Sequence, residues 1–559
     1  MTIHDGVLRL CGRVVSVAVA LLLCLVLLSS SPQVGAASSS PETGLSSSLP
    51  EPFAGCDPVG ANPSASTVQA LSLVLPEAFT STPKGTITQA TSFLDQAEVQ
   101  SLKPLVVIYS IKKGATWVDN RAIGLSDFVT TWKWGAKGVG PAATQYRQVV
   151  SIKKGKNASQ VLVKFSTPTS NWRALFSPLL PATVSTSELA SCSLPSAATD
   201  LSAGPYVIAS ASPSAITLVP NPRWWGPAAM FSEITLSGGV NASATQFTTP
   251  LQAGLAEATW FSPGVLEGIV SEPGVSSHVD FSNRIVSLDF ATTRGGLPFG
   301  VRQAISLLIN RTRLIQDSVG QIDTYITPAT SHLIAQGQPN YTPLTASPAT
   351  DPTTTSTLPV SRSSASRAKK ALIRAGYHLS NRVWVTSQGQ PFTLSMEAPL
   401  DDYWSLKTAS LIRQQLGAQG IKVRISFVPS SVVVAQNLRT AKTMSGILAR
   451  PTDLFAAHSA AWFTTSSIGP NSIYWAGYQK KSLNTLATQA SMNMNPTDAV
   501  PLYETIDNAL WSTMPSLPLF TEPDVLAWST DIGGVVLNPY PPGTLSALLS
   551  WKLITASAP

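Results

Sequence analysis

The chain has 559 residues, of which 44% are apolar and 12% charged, and its net charge is +7. That length exceeds what one hydrophobic core fills, so two or three domains are expected. Charge stands at about half of the usual ~25%, and no basic run exceeds Lys153-Lys154-Gly155-Lys156. The composition argues against nucleic acid as a partner.

At the N-terminus Arg9 and Arg13 precede an apolar run over residues 14–28, followed by Val34-Gly35-Ala36. This is the pattern of a cleaved signal peptide spanning 1–36, and the run is short of the ~20 apolar residues that cross a bilayer. The mature chain is expected in the periplasm or at the outer face of the cytoplasmic membrane. Cys24 follows Leu23, where a lipobox needs a small residue, and Phe53-Ala54-Gly55-Cys56 lies far beyond the apolar run, so a lipid anchor is disfavoured. Cys56 and Cys192 outlast signal removal. Two cysteines in an exported chain more often pair than stay free, so a Cys56–Cys192 disulfide is expected. Residues 37–66, rich in Ser, Pro and Gly, read as a flexible leader without a strand.

Ordered elements begin near residue 71. Val106-Val107-Ile108-Tyr109-Ser110-Ile111 alternates as a strand. Ala115-Thr116-Trp117-Val118-Asp119-Asn120 then supplies a turn, and Ser126-Asp127 caps a helix carrying Phe128, Trp132 and Trp134. Val161-Leu162-Val163-Lys164-Phe165 is a further strand. Gly204-Pro205-Tyr206 and Ile216-Thr217-Leu218-Val219 open and close a hairpin-like pair, continued by Glu233-Ile234-Thr235-Leu236.

Val286-Ser287-Leu288-Asp289-Phe290 is another strand. After a break at Gly295-Gly296-Leu297-Pro298 comes a helix in which Val301, Ala304, Ile305, Leu308 and Ile309 share one face. Residues 342–366 are Thr/Ser/Pro-rich and read as an exposed loop. Residues 368–377 form a short amphipathic helix. A strand at 392–396, a helix at 406–416 and a strand at 420–425 make a parallel βαβ unit.

Several of these blocks carry more than secondary structure. Pro298-Phe299 followed by Val301-Arg302-Gln303-Ala304 and a helix ending in Asn310-Arg311 is similar to a signature of the extracytoplasmic solute-binding proteins of family 5. So is Gly204-Pro205-Tyr206, a strand, then Asn221-Pro222-Arg223-Trp224-Trp225. The block from Tyr109 through Trp117 to Phe128, and the tail from Leu502-Tyr503 through Met514-Pro515 to Gly533-Gly534-Val535, extend the likeness to residues 70–552. These proteins are the binding subunits of peptide- and nickel-type ABC importers.

The resemblance implies an α/β, two-lobed periplasmic-binding-protein-like fold of the class II type, with an extra small subdomain in lobe I. Lobe I would take residues 67–290, with the inserted subdomain at about 86–200. Lobe II would take 291–515, and 516–559 would return to lobe I. The chain crossings would lie near Phe290 and Pro515. The resemblance also implies capture of a small solute, with oligopeptides as the default, and delivery by a monomer to an ABC transporter permease. An envelope sensor that keeps the fold without feeding a transporter is the alternative.

Catalysis finds little support. The five histidines show no metal-ligand spacing, no nucleophile elbow or phosphate loop occurs, and Asp401-Asp402 reads as a helix N-terminus. No enzyme, cofactor or metal is expected. Among the 14 tryptophans, Trp117, Trp132 and Trp225 read as core. Trp462, Phe463, Tyr474 and Trp475 lie in a Gly/Ser/Thr/Pro-rich stretch without periodicity and are candidates for a ligand cleft. In peptide-binding relatives a Trp-x-x-Asp element supplies a carboxylate for the ligand's ammonium. Here Ile447-Leu448-Ala449-Arg450-Pro451-Thr452-Asp453 is the corresponding stretch. Asp453 has the spacing, or else caps the helix that follows. Arg450 replaces the Trp and would suit a carboxylate or another anion.

Overall fold

The computed structural model describes residues 44–49, 53, 59, 65–138, 141–184, 202–238, 253–254, 271–293, 295–320, 322, 325–341, 362–400, 402–464, 478 and 480–554. The expected signal peptide at 1–36, Cys56 and Cys192, and most of the stretch 342–366 expected to form a loop lie outside them.

The first sheet joins strand β1 (Gly44–Leu49) to the later hairpin strands. Here the structure departs from a strandless leader at 37–66. Gly-Leu-Ser-Ser-Ser-Leu has a weak pattern of its own, but it buries Leu45 and Leu49 completely when it pairs in parallel with a distant strand. Helix α1 (Ala65–Ser72) follows, then the short antiparallel pair β2 (Phe79–Ser81) and β3 (Ile87–Gln89). A second sheet, in the order β4 (Leu94–Leu102), β5 (Leu105–Ile111), β7 (Gln160–Phe165), β6 (Val149–Lys154), forms the small subdomain. Helices α2 (Leu125–Lys137) and α3 (Pro141–Arg147) cover it.

The cap of α2 differs from the expected Ser126-Asp127. Gly124 occupies the N-cap, and the buried Asp127 sits one turn in. Its carboxylate accepts from the Gly124 and Ala182 amides at 2.8 Å each and from Arg121 at 2.9 Å. Those bonds tie the helix start to the chain beyond β7, which is why the acid tolerates complete burial.

Strands β8 (Tyr206–Ala211), β9 (Ala215–Pro220) and β10 (Glu233–Gly238) complete the first sheet, in the order β1-β10-β9-β8. The first core runs through both of these sheets. Trp117, Phe128, Trp172, Phe176 and Tyr206 are fully buried in it, and Leu537, Leu548 and Trp551 from the end of the chain join them.

The third sheet orders six strands: β11 (Ala253–Gly254), β18 (Ser516–Ser529), β12 (Val275–Phe290), β17 (Ser445–Pro451), β15 (Thr393–Pro399) and β16 (Lys422–Val428). Between β12 and β15 lies a two-stranded ribbon of β13 (His378–Ser380) and β14 (Val383–Val385). Strand β15, helix α7 (Tyr403–Ala418) and β16 make the parallel unit that the sequence predicts. Asp402 caps that helix, accepting from the Trp404 and Ser405 amides at 3.0 and 3.1 Å.

Side chains leave the two faces of this sheet alternately, so Ile447 enters one core and Leu448 another. Helices α4 (Phe299–Leu308), α5 (Arg311–Ser318) and α6 (Arg362–Arg374) pack with α7 on the first face. Helices α8 (Ser431–Arg439), α9 (Ala456–Ala461), α10 (Lys481–Met492) and α11 (Pro496–Thr513) pack on the second. The fold is thus an α/β, two-lobed periplasmic-binding type.

The change of lobe does not fall at Phe290 and Pro515. Val286, Leu288 and Phe290 lie inside the second core with Leu517 and Phe520. The two long strands β12 and β18 pair from Val275↔Ser529 to Asp289↔Ser516, with register shifts at Phe281/Ile285 and at Val286/Ser287. At the far end of this ribbon Leu526 and Trp528 face the first core, while Val275, Val279 and Ala527 pack on the second.

Candidate functional site

A cavity of about 680 Å³ lies between the first core and the two cores around the six-stranded sheet. Its lobe I wall includes Gln69, Glu77, Phe79, Arg173, Asn538 and Tyr540. Its lobe II wall includes Leu448, Arg450, Asp453, His458 and Trp462, with Asn283 and Arg284 of β12 between them. The lobes meet around the rim. Ser170 Oγ donates to the Ser491 carbonyl at 3.3 Å. A side chain at Gly85, in the β2–β3 turn, would stand 2.6 Å from Pro339 and 2.9 Å from Leu454.

Arg450 emerges from β17 opposite Ile285 and is only 3% exposed. Its Nη2 donates to Ser516 Oγ at 3.2 Å, its Nη1 lies 3.8 Å from Asp289, and the guanidinium sits 4.7 Å over the Phe463 ring. Burial lowers its pKa, and the Asp289 and Asp507 carboxylates pull it back up. Beneath it His332 bridges Asp507 and the Ser516 carbonyl at 2.7 and 3.2 Å. The arginine therefore crowns a buried polar web, and its charge is already shared before any solute arrives.

Asp453 lies in the link between β17 and α9. One oxygen accepts from the Phe455 amide at 2.9 Å, and the other is 2.8 Å from His458 Nδ1. It does not cap α9, whose N-cap is Phe455. Trp462 follows that helix and donates from Nε1 to the Pro451 carbonyl at 3.1 Å, which holds the indole against the cavity wall. Phe463 does not line the cavity. It is fully buried in the core under Arg450, because the end of a one-and-a-half-turn helix sends adjacent residues to opposite sides. Tyr474 and Trp475 lie outside the described residues.

Glu77 also lines the cavity. It sits between α1 and β2 on a backbone pinned from both sides. The Leu179 amide donates to the Pro76 carbonyl at 2.8 Å, the Ala78 amide to Phe176 at 3.0 Å, and the Phe79 amide to Ser177 Oγ at 2.8 Å. The residue is 9% exposed, and burial pushes its carboxyl up to about 8. The one available signal was a single acid within Leu75-Pro76-Glu77-Ala78-Phe79. Arg284, also unforeseen, lies 3.3 Å from the buried Glu522. Among the described residues no cluster of His, Cys, Asp and Glu could hold a metal ion.

Residues 91–481 match the family described as bacterial extracellular solute-binding proteins, family 5 Middle. The chain belongs to this family. Its members are extracytoplasmic proteins that bind small solutes such as peptides and deliver them to ABC permeases; they are not enzymes. The oligopeptide-binding protein OppA of Mycobacterium tuberculosis is 29% identical over 182 residues, 31% of each chain, so the chain spans about a third of the length of that curated relative. Among solved structures, the periplasmic EDTA-binding protein EppA superposes with a TM-score of 0.79 at 19% identity, covering 92% of this chain and 97% of that one. The oligopeptide-binding protein AppA of Bacillus subtilis, in complex with a nonapeptide, gives 0.73 at 16% identity, covering 92% and 100%. These likenesses extend the two-lobed fold over nearly the whole chain. No described helix is long and apolar enough to cross a membrane.

Proposed function

We propose that this protein, exported by its N-terminal segment, captures an oligopeptide between its lobes and presents it, chemically unaltered, to an ABC permease. The supporting observation is the cavity: about 680 Å³, within the roughly 300–1,000 Å³ of small-ligand sites, walled by both lobes, which touch at Ser170 and Ser491. A solute held there would touch Glu77 and Tyr540 on one side and Arg450, Asp453, His458 and Trp462 on the other. It would therefore stabilise the closed arrangement through contacts that an open one lacks. The ribbon of β12 and β18 supplies the continuous link about which the lobes would part. The OppA likeness, at 29% identity over 31% of the chain, supports peptides as the solute.

Small-angle scattering of the full chain with and without a mixed tri- to pentapeptide library tests this reading. Peptide capture predicts a smaller radius of gyration with the library present, and co-purifying peptides in native mass spectra. An unchanged radius together with no retained peptide overturns it.

A further inference from the structure

The cavity wall holds four carboxyl side chains among the described residues, and three are engaged. Asp402 caps α7, Asp453 is bonded to His458 and the Phe455 amide, and Asp524 already has a partner within the fold. Glu77 has no hydrogen bond or ion pair among the described residues, although it is nine-tenths buried. A buried carboxyl without a partner costs stability, yet bonds on both sides fix the backbone that carries it. The side chain lines the cavity.

We infer that Glu77 is the lobe I anchor for a cationic group of the ligand, the free ammonium of a peptide, rather than a structural acid. This rests on the peptide-capture reading and names the polarity of one end of that site. The arginines of the wall have other neighbours than Glu77 among the contacts described. Arg173 stacks on Trp172 at 4.4 Å, Arg284 pairs with Glu522, and Arg450 faces Asp289. Burial pushes the Tyr540 hydroxyl up to about 12, so it offers no charge, and the shift at Glu77 itself comes from burial alone.

A proton consequence follows. Empty, the carboxyl keeps its proton at neutral pH, since burial has raised it to about 8. An arriving ammonium favours the ionised form. At pH 6.5 the carboxyl and a peptide amino group, whose ordinary pKa is about 8, are both protonated before binding. The pair they form holds one proton fewer, and that proton leaves to solvent.

The test uses the full chain and two peptide libraries of three to five residues lacking Lys, Arg and His, one with free amino termini and one N-acetylated. Native mass spectrometry ranks retention, and calorimetry follows the best-retained free peptide in two buffers of different ionisation enthalpy. We expect at least tenfold preference for free termini and close to one proton released per peptide at pH 6.5. Affinity should rise about tenfold per pH unit between pH 5 and 7. Glu77→Gln should lose the preference and the proton release together; the wild-type pH profile tests the same point without any variant. Equal retention of both libraries, or binding without proton release, overturns the anchor while leaving capture intact. Retention of neither library overturns both.

Discussion

Replacing Glu77 by Gln also has a consequence for the empty protein, opposite in sign to most changes at a buried polar residue. In the folded chain the carboxyl titrates near 8 rather than at its ordinary 4.5. Between those values the native state holds a proton that the unfolded chain has released. Stability is then fully present below about pH 4.5 and is lost progressively as pH rises to about 8, levelling off above. At about 1.36 kcal/mol per pH unit, the shift corresponds to a ceiling of roughly 5 kcal/mol. With the carboxyl buried and unpaired, the expected loss is on the order of 4 kcal/mol. Gln is close in shape and does not titrate. The variant should come within about 1 kcal/mol of the wild type at pH 5 and exceed it by the full amount at pH 8.5. Urea unfolding of both proteins at pH 5, 6.5 and 8.5 measures this, since every other titrating group cancels in the difference. Parallel curves across the range would refute the reasoning: Glu77 would then ionise as freely in the folded protein as in the unfolded one.

Three further changes probe the rim, the wall and the frame. Gly85→Val puts a branched side chain at φ +73°, 2.6 Å from Pro339 and 2.9 Å from Leu454; it should prop the lobes apart, enlarging the radius of gyration with peptide present and weakening binding at least about tenfold. Trp462→Ala removes the indole held by the Pro451 carbonyl; calorimetry should show roughly tenfold weaker peptide binding with the melting temperature nearly unchanged. Arg311→Met strips the charged donor that joins the Ala329 and Pro518 carbonyls at 2.6 and 2.9 Å. Denaturant titration should show a loss of about 3 kcal/mol in lobe II.

Local pattern sufficed wherever one element buries one face. The face of Val301, Ala304 and Ile305 marked helix α4, and β-branched alternation marked β5 and β7. The order strand, helix, strand marked the parallel unit β15–α7–β16, because a parallel pair needs a crossover of that length. The family motifs fixed the two-lobed architecture, and the cavity does receive Arg450, Asp453 and Trp462. Tertiary structure decided what depends on a partner far along the chain. Strand β1 exists because β10, nearly two hundred residues later, supplies its ladder and covers its leucines. Phe463 and Trp462 are neighbours with opposite fates, set by which side of α9 faces the buried Arg450. Glu77 becomes a lone acid in a cleft only when residues 176–179 clamp its backbone and lobe II closes over it. Periodicity reports how a segment divides water from core, whereas a cleft is made of surfaces that no single segment owns.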